Sequence, residues 1–138
     1  MDIKNIVVIG AGTMGQGIAQ WFLQQKIAVE MVDSNYEFAL KSHMKIFENL
    51  DGLLAKGKLH SADVANFKQN IHVKKLEDIN PEADLVIEAI IEDKEIKKEL
   101  FKKLDELCSE RTIIASNTSS FPITEMAKDL NEKRKKKF

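Results

Sequence analysis

At 138 residues the chain is long enough for one domain with a substantial core and too short for a cofactor domain joined to a full substrate domain. Lys plus Arg (21) nearly cancels Asp plus Glu (22), so no general field draws the chain to nucleic acid or to an anionic membrane. A single cysteine, Cys108, excludes an internal disulfide, and three scattered histidines argue against a metal site, a pattern expected of a reducing cytoplasm.

Ile3 to Ile9 is a short run rich in Ile and Val that stops at Gly10, which predicts a strand buried on both faces. From Thr13 the spacing becomes helical, with Met14, Ile18, Trp21 and Phe22 on one side and Gln16, Gln20, Gln24 and Gln25 on the other. A second apolar run, Ile27 to Val32, ends at Asp33 and completes a strand-helix-strand unit whose right-handed crossover makes the strands parallel. From about Tyr36 to Lys56 a long amphipathic helix is carried by Phe38, Leu40, Met44, Phe47, Leu50 and Leu54, with Gly57 as its stop. Ser61 is placed to cap a shorter helix from Ala62 to Gln69, and Ile71-His72-Val73 predicts a short third strand.

Asp84 to Ala89 predicts a strand entered from the Pro81 turn, and Lys94 to Leu107 a charged helix with Ile96, Leu100, Leu104 and Leu107 inward. Thr112 to Ala115 gives a further strand, and Pro122 suits the first turn of a last helix. The closing Lys133-Arg134-Lys135-Lys136-Lys137 repels itself, so the expected division is a domain over 1–130 and a frayed basic tail over 131–138. The opening residues lack the features of a signal peptide, and no apolar run approaches the roughly 20 residues of a membrane span. Trp21, Phe22 and the methionines are expected in the core, Cys108 as a buried small apolar residue, and His43, His60 and His72 without catalytic work.

Strands alternating with helices imply an α/β fold of the Rossmann type, a doubly wound and mostly parallel sheet with helices on both faces. Its ligands bind beyond the carboxyl ends of the strands. Gly10-Ala11-Gly12-Thr13-Met14-Gly15 is a G-x-G-x-x-G set between the first strand and the first helix, the context that dinucleotide binding requires. Gly10 permits the tight turn, Gly12 removes a side chain where a pyrophosphate approaches, and Gly15 lets the helix pack closely. The amides of the helix start, at Thr13 and Met14, and the positive end of the helix dipole then offset the diphosphate charge without a lysine.

Asp33, about twenty residues past the glycines, is placed to accept hydrogen bonds from the adenosine ribose. Its carboxylate repels a 2′-phosphate, and Ser34 and Asn35 supply no arginine in compensation, which favours NAD over NADP. FAD domains share this arrangement, so the residues alone leave NAD and FAD open.

Ile9 to Gln20, then Lys56-Gly57-Lys58-Leu59, Ala83 to Ala89 and Ala115-Ser116-Asn117-Thr118-Ser119-Ser120, resemble successive landmarks of the 3-hydroxyacyl-CoA dehydrogenases, of the 3-hydroxybutyryl-CoA type. The resemblance reaches about Leu130 and implies NAD as cofactor and an acyl-CoA as substrate, whose 3-hydroxyl is oxidised in fatty-acid metabolism. It further implies that Ser119 hydrogen-bonds the reacting oxygen and that Asn117 lies beside it near the nicotinamide ribose. Glu92 and Lys97 match positions near the nicotinamide end of the cofactor, and Lys56 one that holds CoA; composition alone allows all three to be solvated surface charges.

Full-length members of that family are expected to be homo-oligomers, and neither nucleic acid nor a membrane is expected as a partner. The family continues into a strand with a His-Phe-Phe-Asn-Pro-like motif and a helical substrate domain, for which these 138 residues have no counterpart. The resemblance implies that the His of that motif is the general base, and without it the chain alone is expected to turn over little or not at all. The expectation is therefore an excised or shortened product, or a frame change in the lysine-rich stretch. The competing reading is a free-standing, non-catalytic NAD-binding module or a truncated remnant.

Overall fold

The computed structural model describes residues 3–116, which form five strands and four α-helices with one short 3-10 turn. The expected last helix from Pro122, the domain limit at 130 and the basic tail lie outside the described residues. The strands are β1 (Asn5–Ile9), β2 (Ala28–Val32), β3 (Ile71–Val73), β4 (Leu85–Glu88) and β5 (Ile113–Ser116). The helices are α1 (Thr13–Gln24), α2 (Tyr36–Ala55), α3 (Ser61–Gln69) and α4 (Lys94–Leu107). The sheet order is β3-β2-β1-β4-β5, and every pairing is parallel.

The chain runs outward from β1 through β2 to β3 and then crosses back to place β4 on the other side of β1. With right-handed crossovers, the change of direction puts α4 on the face opposite α1, α2 and α3. Ile6, Val8, Val29, Met31 and Ile71 pack under α1, α2 and α3, while Val7, Ile9, Val86 and Ile114 pack under α4. The central strand β1 is therefore covered on both sides, as its unbroken apolar run requires. Burying each such side chain contributes about 1.5–3 kcal/mol relative to leaving it in water.

The helices bury only part of what their apolar spacing predicts: Leu50 on α2 and Leu104 on α4 are buried as expected, while other positions differ. On α1 the buried positions are Gly15, Ala19 and Leu23, while Met14 and Trp21 are each 58% exposed and Ile18 and Phe22 only pack at the margin. Small residues let the α1 backbone approach the sheet closely, and the larger side chains are displaced to the flanks. On α2 the buried line is Ala39, Ser42, Ile46 and Leu50, leaving Phe38 and Met44 exposed. On α4 it is Lys97, Phe101 and Leu104, continuing to Cys108, with Ile96 45% exposed.

Gly57, with φ of 72°, ends α2 as expected, whereas Ser61 is the first residue of α3 and His60 its N-cap.

At the amino ends of the strands, opposite the expected ligand side, Asp84 ties the sheet together. Its Oδ2 accepts from the Lys4 and Asn5 amides at 2.9 and 3.2 Å, and its Oδ1 accepts from Arg111 Nη1 at 2.8 Å. The hydrogen bond from Arg111, followed by those from the Lys4 and Asn5 backbone, holds the Asp84 carboxyl at about 2, below its ordinary 3.8. A depressed folded pKa stabilises the fold above the unfolded value, and that stability is lost as pH falls from about 3.8 to about 2. Urea midpoints are thus expected to fall across that window, and Arg111→Met to flatten the fall; an unchanged slope in the variant would contradict the role given to Arg111.

Candidate functional site

The glycine turn lies at the carboxyl end of the central strand, where the sheet order reverses. Gly10 N donates to Val32 O at 2.7 Å and Ala89 N donates to Ile9 O at 2.7 Å, so the ends of β1, β2 and β4 are tied together there. Gly10 has φ of 108°, and a Cβ added to it would come within 2.7 Å of the Ala89 carbonyl carbon. A Cβ on Gly15 would meet the Gly10 backbone, with the carbonyl carbon at 2.8 Å. A Cβ on Gly12 would meet no protein atom within 4 Å. Two glycines are thus required by the protein's own packing, while the third faces open space, as a position reserved for a ligand must.

The start of α1 is also prepared for an anion. Its first turn carries no acidic residue and its N-cap Gly12 offers no side-chain acceptor. By contrast, Asn35 caps α2, Asp93 caps α4, and α3 has Asp63 in its first turn. The first backbone bond of α1 runs from Gln16 N to Gly12 O at 2.8 Å, so the amides of Thr13, Met14 and Gly15 precede the helical ladder. The main-chain donors and the helix dipole converge where Gly12 leaves room.

Asp33 follows β2 and accepts from Ala11 N through Oδ2 and from Asn35 N through Oδ1, each at 2.9 Å. Each oxygen keeps acceptor capacity for a sugar hydroxyl. Ser42 on α2 donates from its hydroxyl to Ala11 O, fixing the other side of the turn. A cleft of about 740 Å³ opens over these groups, lined by Gly10, Gly12 and Asp33 and, farther out, by Tyr36, Lys75 and Ile96. Lys75, whose Nζ lies 6.0 Å from the centre of the Tyr36 ring, was not legible as a cleft residue, because only the fold brings the segment after β3 beside α2.

On the other side of the turn stands a buried charged cluster. Glu88, the last residue of β4, and Lys97, in the first turns of α4, both have side chains with 0% exposure. Lys97 Nζ lies 3.3 Å from Glu88 Oε2 and 2.8 Å from Glu92 Oε1, and the Glu92 side chain is 45% exposed. Glu88 also accepts from Ile90 N through Oε2 and from Ser116 Oγ through Oε1, both at 2.7 Å. Lys97 is therefore no solvated helix charge. Taking such ions out of water costs several kcal/mol each, offset here by their mutual attraction and hydrogen bonds.

The part of Glu88 in this cluster was missed in the sequence, although period-two alternation sets it on the same face as Val86, toward α4, and helical spacing sets Lys97 on the face of Phe101.

Of the expected residues, Glu92 and Lys97 stand beside the cleft lining at Ile91 and Ile96 without being part of it, and Lys56, the exposed C-cap of α2, does not line it. His43, His60 and His72 do not line it either. Asn117, which directly follows Ser116, and Ser119 lie outside the described residues. Among the described residues no group of three His, Cys, Asp or Glu side chains is placed to hold a metal ion, and no helix is long and apolar enough to cross a membrane.

The family described as 3-hydroxyacyl-CoA dehydrogenase, NAD binding domain, matches residues 5–138. A probable 3-hydroxybutyryl-CoA dehydrogenase of Bacillus subtilis is 42% identical over 127 residues, covering 92% of this chain and 44% of that protein. The crystal structure of 3-hydroxybutyryl-CoA dehydrogenase from Escherichia coli K12 superposes with a TM-score of 0.91 at 31% identity, over 98% of this chain and 29% of that one. That of (S)-3-hydroxybutyryl-CoA dehydrogenase from Ralstonia eutropha gives 0.88 at 36% identity, over 97% and 47%. The chain thus spans less than half the length of these relatives.

Proposed function

The chain belongs to the family of NAD-binding domains of 3-hydroxyacyl-CoA dehydrogenases, and from that premise we propose that it is the cofactor-holding part of an enzyme oxidising the 3-hydroxyl of a short acyl-CoA, of the 3-hydroxybutyryl type. The observation that carries the reading is the open position at Gly12 before an uncapped helix, with Asp33 at the end of the neighbouring strand. The amides of Thr13, Met14 and Gly15 hold the pyrophosphate, and Asp33 accepts from the adenosine ribose. NAD bound there supplies the hydride acceptor.

Glu92 and Lys97 serve the nicotinamide side. With Lys97 fully buried, the group facing outward is Glu92, held in place by the ammonium behind it. Ser119 orients the substrate oxygen with Asn117 beside it, and Lys56 meets a CoA phosphate as a point charge.

A hydroxyl gives up its proton usefully only to a positioned base, worth about 10²–10⁴ in rate. None of the three histidines of the chain lines the cleft. Incubated with acetoacetyl-CoA and NADH, the 138-residue chain by itself is expected to show background turnover only.

Calorimetry with NADH, NADPH and FAD tests the cofactor assignment. NADH is expected to bind at least about tenfold more tightly than NADPH, because a 2′-phosphate would face the Asp33 carboxylate. Asp33→Ala is expected to narrow that difference mainly by weakening NADH. Equal affinity for the two cofactors in the unaltered chain, or preferential binding of FAD, would refute the reading.

A further inference from the structure

We propose that Glu88 is a positioning residue that couples the nicotinamide side of the cleft to the end of β5, from which the Asn117–Ser119 segment departs. The inference rests on the NAD reading above and adds to it a residue that touches neither cofactor nor substrate. Its two carboxylate oxygens are divided between two different tasks. Oε1 takes the Ser116 hydroxyl at 2.7 Å, and Oε2 takes Ile90 N at 2.7 Å with the Lys97 ammonium 3.3 Å away. The same ammonium reaches Glu92 Oε1 at 2.8 Å. An unbroken chain of polar contacts therefore runs from the outward carboxylate of Glu92 through Lys97 and Glu88 to Ser116.

Packing alone gives no reason for a charge at this place. Val86, two residues earlier on the same face of β4, is fully buried among apolar side chains, and an aliphatic residue at 88 would continue that surface without any desolvation. What an aliphatic residue cannot do is fix the direction of the Lys97 ammonium and the Ser116 hydroxyl at once. The register places this link at the carboxyl ends of the strands: Glu88 pairs with Ile9 on one side and with Ser116 on the other. It thus lies on the β4–β5 side of the glycine turn, away from Asp33 on the β2 side, and across such a crevice the two halves of a dinucleotide divide.

The test compares NADH with ADP-ribose, which lacks the nicotinamide, by calorimetry on the 138-residue chain. Glu88→Gln keeps the side chain's shape and an acceptor oxygen but removes one of the two charges that hold Lys97, leaving Glu92. It is expected to weaken NADH about tenfold while leaving ADP-ribose within about twofold. Ser116→Ala removes one hydroxyl without touching the ion pair, and is expected to weaken NADH severalfold with ADP-ribose again unaffected. Ser116→Thr, which retains the hydroxyl on a strand-compatible residue, is expected to restore NADH binding.

If Glu88→Gln does not fold, the two Ser116 variants decide. Equal weakening of NADH and ADP-ribose would make the cluster merely structural and overturn the inference, as would NADH binding unchanged in the folded variants. Failure of the unaltered chain to bind either ligand would instead defeat the NAD reading, and the inference with it.

Discussion

Gly12→Val is expected to abolish measurable NADH binding while leaving the fold intact, and Gly15→Val to destabilise the fold itself. The two glycines stand three residues apart in one motif, and the structure assigns them different physical reasons. Gly12 has φ of −69° and ψ of −172°, an extended conformation open to any residue, and a Cβ there touches nothing within 4 Å. A valine is therefore accommodated at a cost below about 1 kcal/mol, mainly from a poorer N-cap. Its methyls occupy the space left for the diphosphate, and affinity should fall by about a hundredfold or more.

At Gly15 the added carbon meets the Gly10 backbone, which is itself held to Val32 and cannot yield as a side chain would. Overpacking of this kind costs about 3 kcal/mol or more, corresponding to a fall of about 10 °C in Tm. Thermal melts and NADH calorimetry on both variants check the contrast. Similar Tm losses in the two would mean that Gly12 serves packing rather than a ligand.

Lys97→Met is expected to lower stability by about 3–5 kcal/mol at pH 7. Methionine matches the aliphatic stem of lysine, so the loss is not one of packing. It arises because Glu88, with no exposure of its own, keeps its bonds to Ile90 N and Ser116 Oγ but loses the opposite charge that offsets its burial. Glu92, 45% exposed, recovers water and contributes little to the deficit. The double variant Lys97→Met with Glu88→Leu removes both ions and is expected to regain most of the lost stability, since a buried pair is seldom better than well-packed apolar residues. Urea unfolding of the three proteins measures this. A double variant as unstable as Lys97→Met alone would mean that the lysine stem, and not the charge, matters.

Much of the candidate site is legible in the sequence, and what is legible has a common character. The glycine turn, the strand before it, the helix after it and the acid at the end of the second strand are local features whose chemistry depends on a few neighbouring residues, and all are found in place. The stop of α2 at Gly57 and the span of α4 follow in the same way from local conformational preference. The helix faces were less legible. Large apolar residues on α1 suggested that Met14 and Trp21 face the core, but the sheet accepts Gly15 and Ala19 there, because close approach of two backbones selects for small size as well as apolarity.

What the sequence by itself determined, then, is the alternation of strands and helices and the glycine turn between β1 and α1, because φ preferences, capping and apolar spacing act over a few residues. Only the tertiary structure decided which side of β1 receives β4, and hence that Glu88, Lys97 and Ser116 meet in one buried cluster while Asp84 meets Arg111 at the opposite end. Those partners are separated by 9 to 28 residues along the chain. Whether a charged side chain is buried depends on whether its counter-charge arrives at the same place, and that is set by the order of the strands rather than by the residues beside it.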